Sequence, residues 1–189
     1  MVDRISALAG FYRTGKFGIL GEDQSAGVIL EDVRDLVLHQ IAAWPESVDA
    51  VGKLAAKAAG SKAAPGPCKA EVGSSASLLR IEPLKWWVVG AEAPDVDAEQ
   101  GATLDISHSR TRIRVTGSQA VSFLNRHLPL DLREDSFPVG SVASSAIHHV
   151  GVTLWRSELG YELFIPRGFA LSLWEGMVET ATQFGLEVV

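Results

Sequence analysis

The sequence contains a single cysteine, Cys68, among its 189 residues. One thiol can neither close an internal disulfide nor supply a zinc site built from several cysteines, so both are excluded. No apolar run approaches the roughly 20 residues that a membrane-spanning helix requires. Residues 1–10 lack the basic and continuous apolar regions of a secretory signal, and we therefore expect the chain to reside in the cytoplasm.

Positive charge is also scarce, because 17 Lys and Arg residues face 23 Asp and Glu residues, for a net charge of −6. An acidic chain is not attracted to nucleic acid or to anionic membranes, so we expect neither as a partner. Apolar residues make up 47% of the sequence, as in ordinary globular domains. Composition therefore predicts a domain that can bury its own core. It does not indicate what reaction or ligand the domain serves.

The signature motifs of several enzyme classes are absent. The sequence has no G-x-G-x-x-G dinucleotide fingerprint, no Walker A loop and no H-E-x-x-H zinc motif. The adjacent pair His148 and His149 falls in a predicted strand, where neighbouring side chains point to opposite faces and do not chelate one ion. We therefore predict neither a metal site nor catalytic residues in this chain.

The first 29 residues form a glycine-rich segment, here called the N-terminal arm. Its glycines interrupt several aromatic and aliphatic side chains, among them Phe11 and Tyr12. Glycine at this density disfavours a regular helix, while the aromatic side chains are too apolar for a solvated tail. Two interpretations remain open: the arm folds back on its own domain, or it wraps around another chain.

Beyond the arm, residues 30–102 and residues 103–189 repeat one order of predicted elements. Each half gives strand–helix–strand–strand, and the second half adds a further helix and strand. This is the order of the split βαβ, ferredoxin-like unit. We predict an α+β fold with mainly antiparallel sheets, in which the two halves form one domain. The predicted elements include a strand at Arg34–Ile41, a helix that stops at Gly60, a loop at Ser61–Ser75, short strands at Ser77–Glu82 and Lys85–Val89, and strand-like runs at Leu104–Val115 and Val142–Arg156.

Three arginines alternate along one predicted strand, at Arg110, Arg112 and Arg114. Period-two alternation places their guanidinium groups on one face of the strand. Like charges at this spacing repel one another unless they are screened or paired. Two interpretations stay open: a ladder paired with acids of neighbouring strands, or a surface that faces an anion or a partner protein.

Two segments resemble the aminomethyltransferases, the T-proteins of glycine cleavage. Leu104–Leu128 is similar to their D-[IV]-S-H…G-x-x-A…[FV]-L signature, and Glu158–Pro166 to their G-E-x-G-[YF]-E segment. The gamma subunits of heterotetrameric sarcosine oxidases resemble the chain more closely and over nearly its whole length. The matching pieces are Ser6–Gly10, Leu79–Trp87, Asp105–Arg110, Leu128–Leu132, Phe137–Gly140, His149–Trp155 and Pro166–Ala170.

The resemblance implies a T-protein-like, non-catalytic subunit of a heterotetramer. In such enzymes the alpha subunit carries NAD and a folate-binding half, the beta subunit carries FAD, and FMN is held near the alpha–beta interface. A small delta subunit carries zinc. The assembly oxidises sarcosine to glycine and passes the one-carbon unit to tetrahydrofolate, and the gamma chain packs against the alpha subunit. Related dehydrogenases of dimethylglycine or N-methylglutamate are an alternative.

The chain also departs from the T-protein pattern. The Asp-Asp pair that carries the family's catalytic aspartate and the Gly-x-x-Ala-Arg-Asp segment are both missing. Glu162 matches the family's pterin-contacting glutamate and is the one folate candidate, while a buried, hydrogen-bonded structural role is the competing interpretation. A free-standing folate-binding protein built around Glu162 is therefore a further alternative.

If the chain is such a subunit, the arm, the arginine ladder and a tryptophan pair are the expected contacts with the alpha chain. Aromatic residues and arginine are enriched at protein interfaces. The predicted interface residues are Phe11, Tyr12, Trp86, Trp87, Arg110, Arg112 and Arg114.

Overall fold

The computed structural model describes residues 5–189, so the first four residues of the arm lie outside the described residues. The strands, in chain order, are β1 (Gly15–Phe17), β2 (Val28–Val33), β3 (Leu38–Ala43), β4 (Ala70–Val72), β5 (Ser77–Glu82), β6 (Lys85–Val89), β7 (Gly101–Asp105), β8 (Arg110–Thr116), β9 (Val142–Ile147), β10 (Val150–Ser157), β11 (Gly160–Pro166) and β12 (Leu186–Val188). The α-helices are α1 (Val48–Ala59), α2 (Ala120–Leu124) and α3 (Ala170–Ala181).

Two compact units divide these elements. One comprises Leu36–His108 with Gly140–Ala143, and the other comprises residues 5–35, Ser109–Val139 and Ser144–Val189. The predicted halves meet at residue 102, inside β7. In the structure, the unit that contains β7 ends at His108.

The Leu36–His108 unit contains a five-stranded sheet in the order β4-β5-β6-β3-β7. The four strands β3, β5, β6 and β7 follow the split βαβ arrangement, with α1 as its crossover helix. One face of α1 packs on the sheet, where Val51 and Ala55 join Ile41 and Trp86 in the core. Gly60 ends the helix in the left-handed conformation, as predicted. Residues 91–100 take the place of a second helix.

The other unit contains a seven-stranded sheet in the order β1-β12-β2-β8-β11-β10-β9. β8, α2, β10, β11, α3 and β12 follow the same split βαβ order, with β2 inserted between the first and fourth strands. β2, β8, β11 and β10 pair antiparallel in succession, whereas β12 runs parallel to β2. The predicted α+β fold of two split βαβ units with mainly antiparallel sheets is therefore confirmed.

Several predicted boundaries are wrong. The strand predicted at Arg34–Ile41 is in fact the connection after β2 followed by the first four residues of β3, and Asp35 in the connection has a φ of 55°. Leu104–Val115 divides into β7 and β8, and the loop at Ser61–Ser75 contains β4. His148 and His149 lie in the turn between β9 and β10 and not on a strand.

The arm folds back on its own unit. β1 pairs antiparallel with β12 at the edge of the seven-stranded sheet, and Leu8 is fully buried. The first of the two interpretations is thus correct for the described part of the arm. No helix among residues 5–189 is long and apolar enough to cross a membrane.

Candidate functional site

The candidate site is a group of charged side chains on one face of the seven-stranded sheet. Glu162 of β11 lies opposite Arg114 of β8, which in turn lies opposite Glu31 of β2. Arg112 lies two residues before Arg114 and therefore projects from the same face. The alternation of the strands thus brings two acids and two bases together, and we call these four residues the Glu162 network.

Glu162 holds the network together through both of its carboxylate oxygens. Arg112 Nε donates a hydrogen bond of 2.8 Å to Oε2, and Arg114 Nε donates one of 2.8 Å to Oε1. The hydroxyl of Ser157, on β10, donates a further bond of 3.1 Å to Oε1. Arg114 also donates through Nη1 to Glu31 Oε2, at 2.8 Å. These side-chain bonds therefore link four adjacent strands of the sheet, β2, β8, β11 and β10.

The network is largely removed from water. The Glu162 side chain is 0% exposed, and those of Arg112 and Arg114 are 15% and 18% exposed. Burial by itself raises the pKa of Glu162, but the hydrogen bonds and positive charges of the two arginines outweigh burial and hold that pKa below its usual value. Glu162 is consequently an ionised carboxylate at neutral pH, and it is the acceptor in all of these hydrogen bonds.

The arginine ladder is paired, which decides between its two interpretations for Arg112 and Arg114. Two acids balance these two bases, so the network carries no net charge to attract an anion. The guanidinium carbon of Arg112 also lies 5.8 Å from the ring centres of Trp155 and Phe164. Arg110 lies at the start of β8, is half-buried and donates to the carbonyl and hydroxyl of Ser109. Burial lowers the pKa of Arg110.

A pterin does not fit Glu162 in this arrangement. A carboxylate offers about four acceptor positions, and protein donors already occupy three of those of Glu162. Its side chain has no exposed surface through which a ligand could approach. The chemistry available here is that of a structural ion pair, and no folate step can be assigned to this residue.

The predicted interface residues of the arm lie near Asp32 of β2. The hydroxyl of Tyr12 accepts a hydrogen bond from the Asp32 backbone N–H and donates one to the Val189 carbonyl. The Tyr12 ring stacks on Trp174 of α3, with ring centres 5.3 Å apart. Phe11, the preceding residue, is 56% exposed. Tyr12 therefore anchors the arm, and Phe11 is displayed to solvent.

The tryptophan pair, which was expected to contact the alpha chain, is buried and offers no exposed surface. Trp86 and Trp87 are 1% and 3% exposed. Trp86 lies in the core beneath α1, and Trp87 donates through Nε1 to the side-chain oxygen of Gln40 at 3.3 Å. Both faces of β6 are buried, so alternation along the strand gave no sign of which tryptophan faced inward.

The Asp105–Ser107 piece of the T-protein signature forms a turn. Asp105 accepts the backbone N–H of Ser107 at 2.8 Å, and the Ser107 hydroxyl accepts from the N–H of Leu38 at 2.9 Å and donates to the carbonyl of Leu38. The motif therefore fixes the end of β7 against β3. Among residues 5–189, no group of three or more His, Cys, Asp or Glu side chains is arranged to hold a metal ion.

Sequence reasoning missed two members of the site, Glu31 and Ser157. Glu31 could have been found, because it stands inside the apolar strand β2, where a charge needs a partner on a neighbouring strand. Ser157 offers no such signal, since a serine near a turn is ordinary.

Comparison with known proteins identifies the fold. No protein-family model and no curated protein matches the sequence. A chain of the heterotetrameric sarcosine oxidase from Corynebacterium sp. U-96, solved with pyrrole 2-carboxylate, superposes with a TM-score of 0.77 at 21% identity, over 96% of each chain. The glycine cleavage system aminomethyltransferase T from Bartonella henselae superposes with a TM-score of 0.58 at 17% identity. That match covers 87% of this chain and 48% of the aminomethyltransferase. The chain therefore has a T-protein-like fold and spans about half the length of that aminomethyltransferase.

Proposed function

We propose that this chain is the gamma-type subunit of a heterotetrameric sarcosine oxidase, a T-protein-like partner without catalytic residues of its own. One observation carries the proposal: the fold matches a chain of such an oxidase over 96% of both chains. The aminomethyltransferase extends well beyond the shared region, since only 48% of it is covered. The oxidase chain also superposes more closely, with a TM-score of 0.77 against 0.58 for the aminomethyltransferase, which favours the oxidase subunit.

The Glu162 network supports a structural role. The carboxylate that the resemblance assigns to pterin contact is closed off by Arg112, Arg114 and Ser157. A residue that serves as the centre of a buried ion-pair network stabilises the sheet and is not free to bind a ligand. We accordingly place tetrahydrofolate and NAD on the alpha subunit, FAD on the beta subunit, FMN near the alpha–beta interface and zinc on the delta subunit.

The arm supplies the surface that we assign to the contact with the alpha subunit. Four large apolar side chains of the arm are more than a third exposed, and we call them the arm apolar residues: Ile5, Phe11, Phe17 and Ile19. Exposed apolar side chains concentrated in one short segment are typical of a surface that another protein covers. Leu8 and Tyr12 hold the same segment against its own unit, so the arm is ordered before it meets a partner.

Reconstitution tests the proposal. The full chain is co-expressed with sarcosine oxidase alpha, beta and delta chains, and the purified material is assayed for sarcosine-dependent peroxide formation. We expect the chain to co-purify with the flavin-containing material and to produce no peroxide alone. The assignment would be contradicted if the chain purified alone, without flavin and without binding the other three chains.

A further inference from the structure

The Leu36–His108 unit contains a groove beside α1 that is rich in unpaired positive charge. Its volume is about 580 Å³, within the roughly 300–1,000 Å³ of small-molecule sites. The charged and aromatic residues that line it are Asp49, Lys53, Lys57, Lys62, Arg80 and Trp86. Four cations therefore face one acid, in a protein whose net charge is −6.

The four cations of the groove take part in no ion pair among residues 5–189. The ion pairs of residues 5–189 involve Arg34, Lys85, Arg112, Arg114, Arg133 and Arg156. None of them involves the three lysines or the arginine of the groove. Lys53 and Lys57 are four residues apart on α1 and thus neighbours on one helix face, where like charges repel. An anion between them would remove that repulsion.

Arg80 is fixed in place at the groove. Its guanidinium carbon lies 5.0 Å from the ring centre of Trp86, whose side chain is buried. Its Nε and Nη2 both donate to the carbonyl of Pro83, at 3.2 and 2.5 Å. A guanidinium has five N–H donors, so three remain after these two bonds. An arginine held by stacking and by a backbone carbonyl loses little conformational entropy when it binds an anion.

We propose that this groove binds a small molecule bearing two or more phosphate groups. Lysine and a fixed arginine are the side chains that recognise phosphate oxygens. A single phosphate would leave most of the volume empty and most of the cations unpaired. A long polyanion such as a nucleic acid is disfavoured, because the protein as a whole carries a net charge of −6 and repels it. The proposal does not depend on the oxidase assignment.

Titration calorimetry of the full chain with inorganic tripolyphosphate tests this site. We expect binding at low ionic strength that Lys53→Gln/Lys57→Gln weakens at least about tenfold, because two charge-assisted hydrogen bonds are lost. The matched control, Lys16→Gln/Lys69→Gln, removes the same charge from outside the groove and should leave the affinity unchanged. Asp49→Asn should tighten binding severalfold, a gain that misfolding could not produce.

Three results would overturn the proposal. The first is the absence of heat with millimolar tripolyphosphate, and the second is equal weakening by the groove variant and its control, which indicates only nonspecific charge attraction. The third is binding of a hexaglutamate peptide without binding of tripolyphosphate, which would make the groove a docking site for an acidic protein segment.

Discussion

The carboxylate of Glu162 lies 2.8 Å from the Nε atom of Arg114, directly across the β8–β11 ladder. Both residues occupy the centre of a seven-stranded sheet, and neither is more than 18% exposed. A charge in this position is tolerated only while its partner is present. The stability of the sheet should therefore depend on Glu162 more than on any exposed ion pair.

Glu162→Gln should lower the free energy of unfolding by about 3–5 kcal/mol, because two buried guanidinium groups lose their counter-charge. Glu31→Gln is the matched control: its side chain is 37% exposed and pairs with the same Arg114, so the loss should stay below about 1 kcal/mol. Urea unfolding followed by circular dichroism measures both. Equal losses in the two variants would show that burial does not determine how much each ion pair contributes to the free energy of unfolding.

The same residue predicts how stability responds to acid. The pKa of Glu162 is lower in the folded chain than in the unfolded one, so the unfolded state binds the proton more readily. The free energy of unfolding should fall as pH drops below about 4.3, the usual pKa of glutamate, towards the lower folded-state pKa. Glu162→Gln lacks this titration and should show a shallower decline. Parallel profiles for the two proteins would contradict the prediction.

Tyr12→Phe should loosen the arm without unfolding the unit. The variant keeps the stack on Trp174 but loses both hydrogen bonds of the hydroxyl, to the Asp32 N–H and the Val189 carbonyl. Each such bond contributes about 1 kcal/mol. Trypsin should then cleave faster after the exposed Arg13 and Lys16, with little change in the midpoint of thermal unfolding. An unchanged cleavage rate would mean that stacking alone holds the arm.

The closed environment of Glu162 predicts that the isolated chain does not bind tetrahydrofolate. Three of its acceptor positions are occupied by protein donors and its side chain is fully buried, so the network would have to open before a pterin could bind there. Calorimetry with tetrahydrofolate at high micromolar concentration should give no heat beyond dilution. A saturable signal that Glu162→Gln abolishes, in a variant shown to be folded, would establish the folate site that the arrangement argues against.

The arm apolar residues predict the effect of surface substitutions on assembly. Phe11→Ser/Ile19→Ser removes two side chains that are 56% and 77% exposed, so the folded chain loses little stability. The variant should bind the alpha chain at least about tenfold more weakly, since buried aromatic and aliphatic anchors carry much of the energy of an interface. Leu159→Ser/Val139→Ser is the control, with residues 64% and 48% exposed outside the arm.

Arginine substitutions would not report on the interface. Arg112→Glu would put a second carboxylate beside the buried Glu162, and the sheet would be disrupted before any partner was tested. Loss of the alpha chain in that variant would reflect misfolding. The arm variants avoid the difficulty because their side chains face solvent.

Local signals predicted much of the fold correctly. Gly60 stops α1, and the β5 and β6 bounds match the apolar runs that indicated them. The break between β7 and β8 was missed, because the turn is set by the hydrogen bond from Ser107 to Asp105 and by the contact of Ser107 with Leu38, 69 residues away. Residue propensities are local, so they do not reveal a hydrogen bond between residues this far apart in sequence.

The site was predictable in part. Alternation correctly placed Arg112 and Arg114 on one face, and the paired interpretation named acids on neighbouring strands without saying which. Glu31 was missed because the segment that forms β2 was not recognised as a strand, and β2 pairs with β8, which is distant in sequence. Trp86 and Trp87 were misjudged for a related reason, since burial on both faces of β6 depends on what packs over each side of the sheet.

The native mass of the co-purified assembly tests the subunit assignment most directly. The full chain is co-expressed with the sarcosine oxidase alpha, beta and delta chains, and the complex is examined intact by native mass spectrometry. We predict one copy of each of the four chains, and loss of this chain alone from the complex when Phe11→Ser/Ile19→Ser is used. A complex of the other three chains that forms identically with or without it, beside a free monomer of this chain, would contradict the account.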